Sequence, residues 1–164
     1  ESLALAEAGI PFEIVPGVSS AVAAPALAGI PVTHRGLAAS FVVASGHAPS
    51  AWEPVVDGLP AAGTTLVVLM GLAQRSAIAA RLVARGFSPE TPAAIVTGAS
   101  TPHAWRWLGT LAGLGAATLP APARGDDDSP LPPAPGVIVV GAVVTVAESL
   151  SRTQPDRDFA VTSS

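Results

Sequence analysis

The sequence predicts an α/β fold. Segments of strand length and helix length alternate along its 164 residues. Two of the strand-like segments, Thr64–Met70 and Ala93–Thr97, are unbroken apolar runs, the pattern of strands covered on both sheet faces. The chain carries 16 Gly and 17 Pro, and many of them mark strand–helix junctions.

Taken in order, Ser2–Ala8 reads as a helix with Leu3 and Leu5, stopped by Gly9 at a left-handed C′ position. Pro11–Val15 is a short extended segment, and the Pro16-Gly17 turn after it leads to Ser19, the expected N-cap of a helix through Ala28. Pro25 lies inside that helix, so a kink or break is expected there. Phe41–Ser45 is a β-branched strand, and Trp52–Asp57 is a short helical or irregular piece. In Gln74–Arg85, residues Ile78, Ala79, Leu82 and Val83 share one helical face, Arg81 and Arg85 lie off it, and Gly86 ends it. Trp105–Leu111 is read as a strand with Trp105 and Trp107 on one side and Arg106 and Leu108 on the other. Ala116–Pro135 is a loop rich in Pro and Ala that carries Asp126–Asp128, a solvated face. Val137–Val144 is a last strand interrupted by Gly141, a sign of a bulge or a close backbone approach. From Ser151 on, the polar sequence reads as a frayed tail.

Composition narrows the function classes. Apolar residues make up 49% and the mean hydropathy is +0.53, so the chain builds a core. Charged residues make up only 12%, about half the usual share of roughly 25%. A surface so sparsely charged is expected to be covered in part by a second domain or subunit. All eight basic residues are Arg, and the net charge of −4 argues against a nucleic-acid or membrane partner. With no cysteine, disulfides, thiolate nucleophiles and Cys-metal sites are excluded, which fits a cytoplasmic protein. The longest apolar stretch, Val137–Ala147, is far short of the roughly 18–20 residues of a membrane span. Glu1–Ala8 reads as the middle of a helix, as expected of a piece of a longer protein.

The candidate chemistry lies at strand ends, where open α/β sheets hold ligands. Ser19 and Ser20 have two readings: a helix cap after a tight turn, or hydroxyls beside backbone amides that cradle a polar ligand. Met70, at the end of a strand, is either core or a thioether lying on a flat heterocycle. Gly98-Ala99-Ser100-Thr101-Pro102 lets a ligand meet the backbone, or is simply a turn. His34-Arg35 beside His47 would make a cationic pocket for carboxylates; the alternative is exposed loop histidines. No two of the three histidines have metal-ligand spacing, and no carboxylate pair suggests an acid–base couple.

The runs GIPFEIVPGVSSAVAAPALAGIPVTHRG, FVVASGH, TLVVLMG and GFSPETPAAIV, with TGASTP, GTL and PGVIVVG, occur in the order found in one known family. By them the chain resembles the tetrapyrrole methylases, which use S-adenosylmethionine; THRG and the later SGH favour the members acting on uroporphyrinogen III. The resemblance implies a mixed sheet flanked by helices, the C-terminal α/β domain of a two-domain protein whose N-terminal domain is not in this sequence. Residues 1–17 would be the junction, 18–150 the domain and 151–164 a flexible tail. S-adenosyl-L-methionine, leaving as S-adenosyl-L-homocysteine, would be held in part by Ser19, Ser20, Met70, Ala99, Pro135 and Gly136. Ala99 stands where relatives often have Gly. His34, Arg35 and His47 would face the substrate, whose carboxylates Arg binds in bidentate fashion. No catalytic acid or base is expected in this chain. The implied reaction is methylation of uroporphyrinogen III to precorrin-2, on the way to sirohaem and cobalamin, by a homodimer. Methylation of another tetrapyrrole and a truncated, non-catalytic binding or dimerisation module remain the alternatives.

Overall fold

The structure, a computed structural model, describes residues 1–122, 124, 129 and 132–153. The acidic run Asp126–Asp128 and residues 154–164 lie outside the described residues.

Five strands form one mixed sheet: β1 (Ala38–Ser45), β2 (Gly63–Leu69), β3 (Pro92–Thr97), β4 (Trp105–Thr110) and β5 (Gly136–Val140). Their order is β1-β2-β5-β3-β4. β1 and β2 are parallel, and β5 runs antiparallel to both β2 and β3. β4 closes the far edge, antiparallel to β3. The helices are α1 (Ser2–Glu7), α2 (Ser20–Leu27), α3 (Pro49–Asp57), α4 (Arg75–Ala84), α5 (Leu111–Leu114) and α6 (Val144–Thr153), with a 3-10 turn at Leu72–Gln74.

The apolar runs are continuous because both faces of the sheet are covered. Leu66, Val68, Ile95, Ile138 and Val140 point to one face and pack with Trp52 and Val56 of α3, Ile78 and Leu82 of α4 and Leu111 and Leu114 of α5. Val67, Ala94, Val96, Val137 and Val139 point to the other and pack with Ala21 and Ala24 of α2 and Val144 and Ala147 of α6. Arg106 of β4 ties the second layer together, donating to the Ala28 carbonyl at the end of α2 and to Ser151 Oγ of α6, both at 2.7 Å.

Several expectations are met and several corrected. Gly9 has φ +68 and ends α1 with Ile10 N–H donating to Leu5 C=O, as a C′ glycine does. Ser19 caps α2, its Oγ accepting from Ala21 N–H at 3.3 Å. α2 then runs unbroken through Pro25. In so short a helix the proline forfeits one intrahelical bond, and its ring is buried in the core. Pro11–Val15 pairs with no strand, and Phe12, Ile14 and Val15 are exposed. The short segment before the Pro-Gly turn therefore joins no sheet among the described residues. Val83 is partly exposed, so the buried face of α4 narrows to Ile78, Ala79 and Leu82. Leu111 begins α5 instead of ending β4. β5 stops at Val140; Gly141, at φ +144, turns the chain into α6. A Cβ there would lie 3.4 Å from Thr64 C=O, so the close approach expected at this glycine is present at the strand's end. α6 continues to Thr153, and Ser151 is held by Arg106 and donates to Ala147 C=O, so the polar residues 151–153 are not frayed. No helix among the described residues is long and apolar enough to cross a membrane.

Ile138 is fully buried between β2 and β3. Ile138→Ala is expected to lower unfolding free energy by about 2–5 kcal/mol in urea titrations. On the surface, Asp57 accepts from Arg81 at 2.8 and 2.6 Å, and the two arginines Arg81 and Arg85 hold its carboxyl below the usual range. Its contribution to stability is complete above the ordinary carboxylate value and is lost as pH falls through the lowered one. Asp57→Asn is therefore expected to flatten the acid limb of a melting-temperature profile.

Candidate functional site

β5 is antiparallel to both β2 and β3, so β1, β2 and β3 all point the same way. Their carboxyl ends, Ser45, Leu69 and Thr97, share one edge of the sheet with the starts of β4 and β5, Trp105 and Gly136. At this edge lies a groove of about 880 Å³. Five separate stretches of chain build it: the start of α2, the Leu69–Leu72 turn, the Val96–Trp105 turn, the Leu119–Pro122 segment and the Pro132–Val137 approach to β5.

Met70 is the first residue past β2 and has φ +55, a left-handed conformation that a side chain rarely adopts. Its side chain is 64% exposed and lines the groove. The core reading of Met70 is thereby excluded in this chain. Residues held in such conformations cluster at ligand sites, where the surrounding structure pays for the strain.

The turn after β3 contains two more left-handed residues, Gly98 at φ +59 and Ser100 at φ +66. A Cβ on Gly98 would lie 2.9 Å from His103 C=O, so the turn folds tightly back on itself. Thr101 fastens it, its Oγ1 donating to Gly98 C=O at 2.7 Å and accepting from His103 N–H at 3.2 Å. Gly98 N–H donates across to Pro135 C=O at 3.1 Å, which joins this turn to the approach to β5. Gly136 is there because Leu72 and Thr97 crowd it: a Cβ would lie 2.6 Å from Leu72 Cδ1 and 2.9 Å from Thr97 Cγ2.

The two serines are placed differently. Ser19 Oγ is engaged in capping α2, while Ser20 lines the groove. Of the six residues expected on one wall, Ser20, Met70, Ala99, Pro135 and Gly136 come together there, and Ser19 stands just behind as their cap.

The cationic pocket expected from His34, Arg35 and His47 is not formed within this chain. His34 bridges to Ala38 at the start of β1, its Nδ1 bonded to Arg35 C=O at 2.8 Å. His47 follows the end of β1 and is hydrogen-bonded through Nδ1 to Ser45 Oγ at 2.9 Å. The strand between them spans seven residue steps, roughly 23 Å at about 3.3 Å each. His47 thus stands at the groove edge of the sheet. His34 and Arg35 border a separate dip of about 620 Å³ with Gly63, at the opposite edge. Nearness in sequence suggested one pocket, and an extended strand put its parts at opposite ends.

The groove also contains residues that the sequence did not single out for it: Leu72, Thr97, His103 and Trp105. Thr97 is 3% exposed, and its Oγ1 has no hydrogen-bond partner. Position at the last residue of a buried strand was the available signal for Thr97; the other three depend on turns whose path is set by tertiary packing.

A mixed sheet with a mostly apolar groove across its strand ends, walled by tight turns, is the kind of site at which open α/β folds hold ligands. The family described as Tetrapyrrole (Corrin/Porphyrin) Methylases matches residues 1–115, and the chain belongs to that family. A siroheme synthase of Tolumonas auensis is 42% identical over 144 residues, 87% of this chain and 28% of that protein. A uroporphyrinogen-III C-methyltransferase of Methanocaldococcus jannaschii is 39% identical over 151 residues, 91% of this chain and 59% of that protein. Among solved structures, a uroporphyrin-III-C-methyltransferase from Thermus thermophilus superposes with a TM-score of 0.70 at 42% identity, covering 91% of this chain and 59% of its own. Another from that organism, complexed with S-adenyl homocysteine, gives 0.65 at 34% identity, covering 88% and 59%. The chain thus spans between about a quarter and three fifths of the length of these relatives.

Strain at the two key turns is separable by mutation. Met70→Gly relieves the left-handed conformation and is expected to leave stability unchanged or raise it by up to ~1 kcal/mol. Gly98→Ala, which must displace the His103 carbonyl, is expected to cost roughly 1–3 kcal/mol. Chemical denaturation of both variants checks the pair.

Proposed function

We propose that the protein to which this chain belongs transfers methyl groups from S-adenosylmethionine to ring carbons of uroporphyrinogen III, in two rounds that yield precorrin-2. This chain supplies the adenosine wall of the cleft. The observation that carries the reading is the meeting of Ser20, Met70, Ala99, Pro135 and Gly136, drawn from four stretches of sequence, along one groove. A relative of similar fold and 34% identity was solved with S-adenyl homocysteine.

The residues present fit an adenosine. The groove is largely apolar, with Leu69, Leu72, Val96 and Trp105 in its walls, which suits a purine. Few polar groups interrupt it: the Ser20 hydroxyl, the turn backbone at Gly98-Ala99, the Thr101 and His103 side chains and the orphaned Thr97 Oγ1. Met70 presents an exposed, polarisable thioether to one side. Ala99 narrows the backbone angles available relative to Gly but keeps its amide.

S-adenosylmethionine supplies the methyl group as a sulfonium electrophile. The chain's own contribution is to bind and orient. Met70 and the small residues of the two turns hold the purine, and Ser20 offers its hydroxyl. Of the three residues expected to face the substrate, His47, oriented through Nδ1 by Ser45, is the one placed to meet a carboxylate at this edge. The nucleophile is an enamine-like pyrrole carbon, so positioning supplies most of the rate and a proton leaves afterwards. We assign no acid or base for that proton within this chain and place that group in the length of the relatives that it does not span. Ile14, Val18, Phe41 and Val43 are exposed apolar side chains on the junction segment and the edge strand. In the whole protein we place the missing domain or a second copy over them.

The test is calorimetry of S-adenosylhomocysteine on the full-length protein together with a turnover assay on uroporphyrinogen III. Met70→Ala is expected to weaken the product about tenfold, the worth of one buried soft contact of roughly 1.4 kcal/mol. An unchanged affinity removes Met70 from the adenosine wall. Full-length protein that binds the product but turns over only a different tetrapyrrole overturns the substrate.

A further inference from the structure

A contact between two glycines lies directly under Met70. Ser45, the last residue of β1, is in register with Leu69, the last residue of β2. One residue on, Gly46 N–H donates to Leu69 C=O at 2.7 Å. The backbones of Gly46 and Gly71 then touch: a Cβ on Gly46 would overlap Gly71 Cα outright and lie 3.0 Å from its nitrogen. Val68 Cγ1 closes the third side, 2.8 Å from where a Cβ of Gly46 would be and 2.7 Å from one of Gly71. Both glycines are buried, whereas Met70 between Leu69 and Gly71 is exposed at φ +55.

We propose that Gly46 is a positioning residue for Met70: its backbone, packed against Gly71 and bonded to Leu69, holds the chain on both sides of Met70 and forces the left-handed conformation that presents the thioether to the groove. Neither glycine is left-handed itself, since Gly71 has φ −100 and Gly46 does not fall in that region. What fixes them as glycine is the missing side chain. Three residues in a row, Leu69, Met70 and Gly71, have their ends clamped, and only the middle one can absorb the turn. His47 is covalently next to Gly46 and hydrogen-bonded to Ser45, so the same clamp sets its distance from Met70. The inference rests on the adenosine-wall reading of Met70.

A double-mutant cycle in the full-length protein tests it, reading S-adenosylhomocysteine affinity by calorimetry and folding by melting temperature. Gly46→Ala is expected to weaken binding about tenfold in the wild-type background. In the Met70→Ala background it is expected to add less than about threefold, because the group it positions is already gone. Val68→Ala loosens the same contact without adding an atom and is expected to give the same pattern at smaller amplitude, even where Gly46→Ala fails to fold. Additive losses in both cycles overturn the proposal, as does unchanged affinity in both variants. If Met70→Ala alone leaves affinity unchanged, the adenosine-wall reading is what fails. A weakened Met70→Ala with additive partners refutes only the positioning role.

Discussion

The structure depends on β5 lying in the middle of the sheet. Residues 136–140 come late in the described chain, yet they hydrogen-bond to β2 on one side and β3 on the other. Ile138, Val139 and Val140 are buried on both faces, and neither cluster of the core is complete without them. Because β5 runs antiparallel to its neighbours, the three parallel strands end where β5 begins. That one insertion brings Leu69, Thr97 and Gly136 to the same edge. The groove is thus a consequence of strand order as much as of any local motif. It also makes the fold dependent on long-range pairing, the slow part of building a mixed sheet.

Glycines at that edge serve two physical ends. Gly98 occupies a conformation that a side chain resists, and it turns the chain sharply after β3. Gly46, Gly71 and Gly136 are ordinary in conformation and are required by space, because each would drive a Cβ into a neighbour. Met70 and Ser100 are the reverse case, side chains placed where glycine would be easier. Both stand on the turns that wall the groove. Strain retained in a side chain that faces open space is consistent with selection for what that side chain touches.

Part of the apolar surface has no cover among the described residues. The segment from Ile10 to Val18 has no regular structure and is exposed, and Phe41 and Val43 show on the edge strand. An uncovered apolar edge strand is a liability in a free protein. With 12% charged residues there is little polar surface to offset it. The relatives whose lengths are compared above are longer than this chain, which spans 59% of two of them.

Much of the fold was legible in the sequence. Continuous apolar runs marked β2, β3 and β5 because their two-sided burial leaves no polar alternation to read. Gly9, Ser19 and Gly86 marked helix ends because caps act through bonds to residues two to five away in sequence. Five of the six residues singled out as a wall line the groove, each on a short turn at a strand or helix end where turn chemistry can be read locally. The failures were all non-local. Pro25 sits within an intact helix because core packing outweighs one lost bond. His34 and Arg35 parted from His47 because the strand between them is extended. Thr97 and Trp105 joined the groove because strand order put their ends beside Met70. Periodicity and turn chemistry are written in neighbouring residues, so the sequence alone determined the elements and the residues at their ends. Which ends share an edge depends on where β5 inserts, and only the tertiary structure decided that.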